Sequence, residues 1–498
     1  MDTRWTTRGP QGEPARWTRK AYRQDKPVRW TARQTQDGLQ DGLPVDGRTD
    51  CKTDCNIFKR NSEKRGRMSM QQFIGPEGIL SKRQQYFYPC TSYFYRNPPQ
   101  LVKGEMQYLY GHDGKCYTDF FAGVSVVASG HCNPEIAERT AEQLRTLQHT
   151  CTIYLTQPNV DLAERLAGVL PGKLSRTFFV NSGSEANEGA LLLARLHTKR
   201  RGFIALEQGL HGRTYLTMSV TGLNMWRTDP ELAKRTEDVF FIPRPYEYGV
   251  SQDEAARRSI EALKRVLEEK GHDIAAMIAE PIQGNGGMIV PPDWYYPEVK
   301  ALLEQYGVLL IADEIQTGFG RTGRMFAMQL WGVEPDIVTM AKALGSGIPV
   351  AAFASTDEIA ASFNKPSAST FGGNPVSSVT ALAVLDYIES HRLAERAERL
   401  GGLLMDGLRD LSARYPEMIS EVRGAGLMIG VELCAGDSDR GTLLVDNVLE
   451  EMKDRGFIIG KNGVGRNVLA FQPPLVITED DINEMLSALA ASFALTSV

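Results

Sequence analysis

The stretch Val308-Leu-Leu-Ile-Ala-Asp-Glu-Ile-Gln-Thr-Gly-Phe-Gly-Arg-Thr-Gly323 decides how this chain folds. Its five apolar residues, 308–312, run into the carboxylate of Asp313 and then into a glycine-rich loop. A short unbroken apolar run of this length reads as a buried strand of a parallel sheet. In open α/β sheets small molecules bind beyond the carboxyl ends of such strands, and Asp313 stands at that place. Pro335-Asp-Ile-Val-Thr-Met-Ala-Lys342-Ala-Leu-Gly-Ser-Gly-Ile-Pro repeats the design and closes its strand on a lysine. Two buried strands that carry a carboxylate and a lysine into one cleft suggest chemistry.

Outward from this pair, residues 177–180, 203–207, 239–242 and 274–279 predict further strands. Residues 185–200, 253–269 and 297–305 predict the helices between them. The alternation implies an α/β fold, a mostly parallel sheet covered by helices. Upstream, residues 106–120 read as strand, tight turn and strand, followed by amphipathic helices over 134–148 and 159–170. Beyond Asn374-Pro375 long helices (376–389, 394–415, 443–455) accompany short strands at 427–433 and 468–471, the pattern of a separate α+β unit. The expected organisation is a leader over 1–67, the N-terminal part of a small domain over 68–125, a large domain over 126–375, and a C-terminal small domain over 376–498.

With 42% hydrophobic and 23% charged residues, the composition is that of an ordinary globular protein. No apolar run approaches the roughly 18 residues of a membrane span, and no secretory h-region follows the start. Seven cysteines scattered through 498 residues do not form a disulfide framework, so a reducing cytoplasm is expected. The leader carries 16 Lys+Arg against 9 Asp+Glu, a balance of +7, whereas the remainder carries 40 against 52, a balance of −12. The acidic body has no basic stripe for nucleic acid. The leader, with Trp5, Trp17 and Trp30, reads as disordered; a nucleic-acid tail and an upstream extension ahead of a true start at Met68 or Met70 are its other readings. Cys51 and Cys55 have ligand-like spacing but no second pair nearby, and no metal site is expected.

Asn181-Ser-Gly-Ser-Glu-Ala-Asn-Glu188 lies between a predicted strand and a predicted helix, where free backbone N–H groups bind anions. Alone, it reads equally as an ordinary connection with Ser184 as N-cap. Joined to Asp313 and Lys342, it supplies what pyridoxal phosphate needs: a phosphate cradle, a carboxylate that keeps the ring nitrogen protonated, and an amine for the aldehyde.

At this point the sequence resembles the class III aminotransferases, pyridoxal phosphate enzymes of fold type I. The resemblance rests on Asn181-Ser-Gly-Ser-Glu-Ala, His211-Gly-Arg-Thr, Ala279-Glu-Pro-Ile-Gln-Gly, Ala312-Asp-Glu-Ile-Gln-Thr-Gly-Phe-Gly-Arg-Thr-Gly, Ala341-Lys-Ala-Leu and Thr370-Phe-Gly-Gly-Asn-Pro, in family order. Met106-Gln-Tyr-Leu-Tyr and Gly130-His-Cys-Asn-Pro134 resemble the alanine–glyoxylate type 2 and ω-amino acid branch. The resemblance implies that Lys342 bonds the cofactor and moves the substrate proton, that Asp313 pairs with the ring nitrogen, and that Gln316 hydrogen-bonds O3′. It places Gly183 and Ser184 on the phosphate, and Leu210, His211 and Glu280 around the cofactor. Glu280 reads equally as a loop anchor. It sends Thr370 to the phosphate of a neighbouring subunit, so a homodimer or a dimer of dimers is implied.

Three positions depart from the family pattern. Leu210 replaces a stacking aromatic, Asn285 a glutamate, and Ala470 an arginine that holds the substrate α-carboxylate. The last two normally pair with each other, so their joint absence leaves no lone buried charge. Arg213 remains as a carboxylate clamp, or else as a structural ion-pair residue, with Arg466 as a possible replacement clamp. The expected reaction moves an amino group from an ω-amino acid (β-alanine, 4-aminobutyrate) or alanine to a keto acid such as pyruvate or glyoxylate. A lyase, decarboxylase or aminomutase of the same fold is the alternative.

Overall fold

Three sheets organise the chain. The computed structural model describes residues 73–229 and 238–496. The expectations placed on residues 1–67, with Cys51, Cys55 and a start at Met68 or Met70, lie outside the described residues. Strands β1 (Leu101–Glu105), β2 (Tyr108–Gly111) and β3 (Cys116–Asp119) form an antiparallel meander. The central sheet contains β4 (Arg176–Val180), β5 (Gly202–Leu206), β6 (Val239–Ile242), β7 (Ile274–Ala279), β8 (Leu309–Asp313), β9 (Ile337–Met340) and β10 (Ala351–Ser355), in the order β4-β10-β9-β8-β7-β5-β6. The third sheet, from β11 (Ile419–Ala425), β12 (Met428–Leu433), β14 (Gly460–Asn462) and β15 (Val468–Phe471), is antiparallel in the order β11-β12-β15-β14. Strand β13 (Phe457–Ile458) leaves it to pair in parallel with β3, so the two ends of the folded chain share one sheet.

The α/β architecture expected from the alternation is present, with one reversal. β5, β6, β7, β8 and β9 pair in parallel, whereas β10 runs antiparallel to both β9 and β4. The ten residues 341–350 between β9 and β10 are too few for a crossover connection, which forces the antiparallel return. β4 therefore points the same way as β5 to β9, and six carboxyl ends lie along one edge, joined there by the amino end of β10.

The strands are buried by their apolar faces. Leu310 and Ile311 on β8 and Val338 on β9 are fully buried, each contributing about 1.5–3 kcal/mol of transfer free energy. Against Ile311 lies the Gly183–Thr198 helix, with Ala186, Ala190, Leu191, Leu193 and Ala194 inward. This helix begins two residues before the expected Glu185. Its N-cap is Ser182, whose hydroxyl accepts from Glu185 N at 3.3 Å, and not Ser184. The Asn374-Pro375 break starts the Pro375–Ser390 helix: Asn374 caps it by accepting from Ser377 N at 3.0 Å, and Pro375 takes the first turn, where no N–H is needed. Among the described residues no helix is long and apolar enough to cross a membrane.

Candidate active site

The converging strand ends border a cavity of about 460 Å³, within the range of small-molecule sites. Its walls include Gly183 and Ser184 after β4, Leu210, His211 and Arg213 after β5, Glu280 and Asn285 after β7, Asp313 and Gln316 after β8, and Lys342 after β9. Parallel strands place all these loops at one edge, so residues up to 159 positions apart become neighbours.

Asp313 is buried and well held. Its Oδ2 accepts from Asn187 Nδ2 at 2.7 Å and from His211 Nδ1 at 2.8 Å, whereas Oδ1 takes only a 3.3 Å bond from Ile315 N. Oδ1 thus keeps acceptor capacity toward the cavity. Asn187 is oriented in turn: Thr339 Oγ1 donates to its Oδ1 at 2.7 Å, and its Nδ2 also donates to the His211 carbonyl. Asn187 stands in the quoted loop motif, but nothing there distinguished it from a helix-surface asparagine. The available signal was its position four residues after Gly183, on the helix face that carries Ala186 and Ala190.

Lys342 opens a short 3-10 turn with φ of 43°, a left-handed value rare outside glycine. Among the described residues its amine has no hydrogen-bond or ion-pair partner. Burial lowers its pKa below the ordinary lysine value, against the opposing pull of Asp313 and Glu280. Because the unfolded lysine holds its proton to about pH 10.4, the unfolded state binds more protons between the lowered pKa and that value. The stability of the cofactor-free protein therefore rises with pH across this window. Lys342→Met should raise the melting temperature of the cofactor-free protein near neutral pH, by a margin that shrinks toward about pH 10. Melts across that range check it, and a margin that grows with pH contradicts it.

Glu280 uses both oxygens on backbone amides: Oε1 accepts from Leu210 N at 2.9 Å and Oε2 from Gly284 N at 3.0 Å. Burial pushes its carboxyl above the usual carboxylate value. It ties the loop after β5 to the loop after β7. Among the described residues, buried Gln316 Nε2 has no acceptor and buried His211 Nε2 has no partner. The amides of Gly183 and Ser184 have no acceptor among the described residues. A Cβ on Gly183 would lie 2.8 Å from Ile315 Cδ1, so glycine keeps this cradle open.

Not every expected residue reaches the cavity. Ala470 is fully buried in the middle of β15, between Gly430 and Gly460, and contributes no wall. Arg466 is turned away: Nη1 donates to the Lys461 carbonyl at 3.1 Å, and the guanidinium lies 5.0 Å from the Phe94 ring centroid. Thr370 is exposed and outside the cavity of its own chain. Arg213 lines the cavity, is exposed, and its guanidinium has no partner among the described residues; only its backbone N–H is used, on Ser184 Oγ. Val126, Trp226 and Ile348 also form walls that the sequence did not single out.

A buried carboxylate, an unpaired buried lysine, an orphan amide donor and a free helix N-terminus make up the donor set of a pyridoxal phosphate enzyme. The chain belongs to the class III aminotransferases: the family model described as Aminotransferase class-III matches residues 95–493. It is a pyridoxal phosphate-dependent transaminase. The chain is 40% identical over 432 residues to alanine–glyoxylate aminotransferase 2 homolog 2, mitochondrial, of Arabidopsis thaliana, covering 85% of this chain and 89% of that one. It is 36% identical to 5-aminovalerate aminotransferase DavT of Pseudomonas aeruginosa, covering 80% and 94% respectively. A crystal structure of an amine transaminase from an uncultivated Pseudomonas species in the PLP-bound form matches with a TM-score of 0.75 and 31% identity, covering 82% of this chain and 98% of that one.

Proposed function

We propose that this transaminase takes its amino group from an ω-amino acid or alanine and passes it to a monocarboxylate keto acid such as pyruvate or glyoxylate. The unpartnered Arg213 guanidinium carries this reading: among the described residues it is the one arginine in the cavity wall. One clamp suits a donor whose carboxylate lies far from its amine. Two arginines would suit a dicarboxylate such as 2-oxoglutarate better, and Ala470 and Arg466 supply no second one.

When bound, pyridoxal phosphate supplies an electron sink for the charge left on the donor carbon. Asp313 Oδ1 would accept a hydrogen bond from the protonated ring nitrogen, with Asn187 and His211 holding the carboxylate in place. Gln316 Nε2 would donate to O3′, and the Gly183 and Ser184 amides would hold the phosphate at the positive end of their helix. Leu210 covers one ring face with an aliphatic side chain. With the cofactor bound, Lys342 Nζ would be the base that takes up the proton of the donor carbon; its lowered pKa leaves more of the neutral amine available for this near pH 7. Thr370 serves the phosphate site of a second subunit. Its exposure outside its own cavity, together with exposed Ile153, Tyr154 and Leu155, supports a homodimer.

Arg213→Ala should raise KM for 4-aminobutyrate or 5-aminovalerate by about 10- to 100-fold, the value of a charge-assisted hydrogen bond. KM for a simple amine without a carboxylate should stay as it is. Steady-state kinetics on the two donor types decide, and equal effects on both remove the proposal.

A further inference from the structure

Residues 284–287 form the part of the cavity edge that carries Asn285, and their four carbonyls are all engaged from outside the loop. Gly284 O accepts from Asn462 Nδ2 at 3.2 Å and Asn285 O from Gly463 N at 3.1 Å. Gly286 O accepts from Arg244 Nη1 at 2.7 Å and Gly287 O from Arg423 Nε at 2.8 Å. The paired backbone bonds between Gln283 and Ile289, both 3.1 Å, close the loop at its base. All four carbonyls of the loop are thus taken up by protein donors.

Three of the four donors come from the C-terminal antiparallel sheet and its connection: Arg423 on β11, Asn462 at the end of β14, and Gly463 just beyond it. β11 and β14 are the two edges of that sheet. Between them, Met288 packs on β12, where a Cβ on Gly430 would lie 2.9 Å from Met288 Cγ. Gly287 has φ of 118°, and a Cβ there would lie 3.0 Å from Arg423 Nη2, so glycine admits the guanidinium. Arg423 is itself fixed, donating through Nη1 to Glu432 at 2.6 Å, Glu421 at 2.7 Å and Tyr246 at 3.1 Å. The Asn285 side chain makes no hydrogen bond among the described residues and is left toward the cavity.

We propose that the C-terminal sheet sets the substrate end of the cavity by holding this loop carbonyl by carbonyl, with Asn462 and Arg423 as positioning residues that act through Asn285. The sheet touches the loop backbone, and the loop presents the side chain. Asn462 therefore governs donor affinity without contacting the donor. This rests on the reading that Asn285 faces the donor, and the test separates the two.

The experiment is a double-mutant cycle on the holoenzyme with Asn462→Ala, Asn285→Ala and the double variant. It is read by KM and kcat for 4-aminobutyrate and by hydrogen exchange of peptides spanning residues 280–290. Asn462→Ala should raise KM by about 2- to 10-fold, the worth of one neutral hydrogen bond, with kcat changed less than about two-fold. Exchange at residues 284–287 should accelerate while the central sheet keeps its protection. In the Asn285→Ala background Asn462→Ala should add nothing further to KM, since coupled residues are non-additive. Arg423→Lys keeps a cation beside Glu432 but gives up the planar fork, and it should accelerate the same exchange. Unchanged exchange in both variants, or additive KM effects in the cycle, overturns the proposal. An Asn285→Ala enzyme with unaltered KM overturns instead the substrate role of Asn285, and exchange then still judges the clasp.

Discussion

Lys342→Ala should lose at least about 10⁴-fold in kcat, because the group that moves the proton is removed together with the anchoring amine. The loss follows from where the lysine stands. Its amine is unpartnered among the described residues, in a cavity whose two buried carboxylates are already engaged, Asp313 by Asn187 and His211 and Glu280 by the Leu210 and Gly284 amides. No other lysine lines that cavity, so none can substitute. The visible band near about 410–430 nm, which reports the lysine joined to the cofactor, should disappear in the variant. The phosphate cradle remains, so the cofactor should still bind, without the band. Absorbance spectra with single-turnover kinetics check both halves. A variant that keeps the band would assign the amine to another residue.

Asp313→Asn should cost about 10²- to 10⁴-fold in kcat while the visible band persists, since Lys342 is untouched. Two donors, Asn187 Nδ2 and His211 Nδ1, already point at Oδ2, so the amide of an introduced asparagine cannot be placed there without a donor–donor clash. The asparagine oxygen must therefore take the Oδ2 place, and its NH₂ takes the Oδ1 place facing the cavity. A donor there opposes a protonated ring nitrogen, and the electron sink is lost. Activity within a factor of about ten of the parent would show that the ring proton is held by another group.

Local sequence was informative wherever the physics is local. Residues 308–312 are apolar in an unbroken run and 337–340 are interrupted by Thr339 alone, so burial on both faces of a strand could be read directly, and the charged residue following each run had to lie near the sheet edge. The strand–turn–strand at residues 106–120 was legible for the same reason, being a short-range hydrogen-bond pattern. Strand β10 was missed. Its alanines carry little pattern, and its reversal follows from a connection length that matters only once β9 is placed. The turn at Ala122–Ser125 was illegible as well. Its residues adopt φ values of 49°, 60°, 67° and 62°, which Ala, Val and Ser do not favour alone. Asp119 Oδ1 holds the entry to this turn by accepting from Phe121 N and Ala122 N at 2.8 and 2.9 Å, and Val126 then joins the cavity wall.

The substrate end shows the division most sharply. From sequence alone, Ala470 marked a missing carboxylate clamp, Arg213 a remaining one and Arg466 a replacement. Folding separated them: the sheet covers Ala470, Arg466 stacks on Phe94, and Arg213 is left facing the cavity. The opening stretch from Val308 to Gly323 and Lys342 determined by themselves the α/β class and the neighbourhood of the chemistry, because hydrophobic burial is written in consecutive residues. The partners of Asp313, the freedom of Arg213 and the four-carbonyl grip on residues 284–287 were decided only by tertiary structure. Each depends on hydrogen bonds between groups tens to hundreds of residues apart, and no local pattern encodes which donor will meet which acceptor.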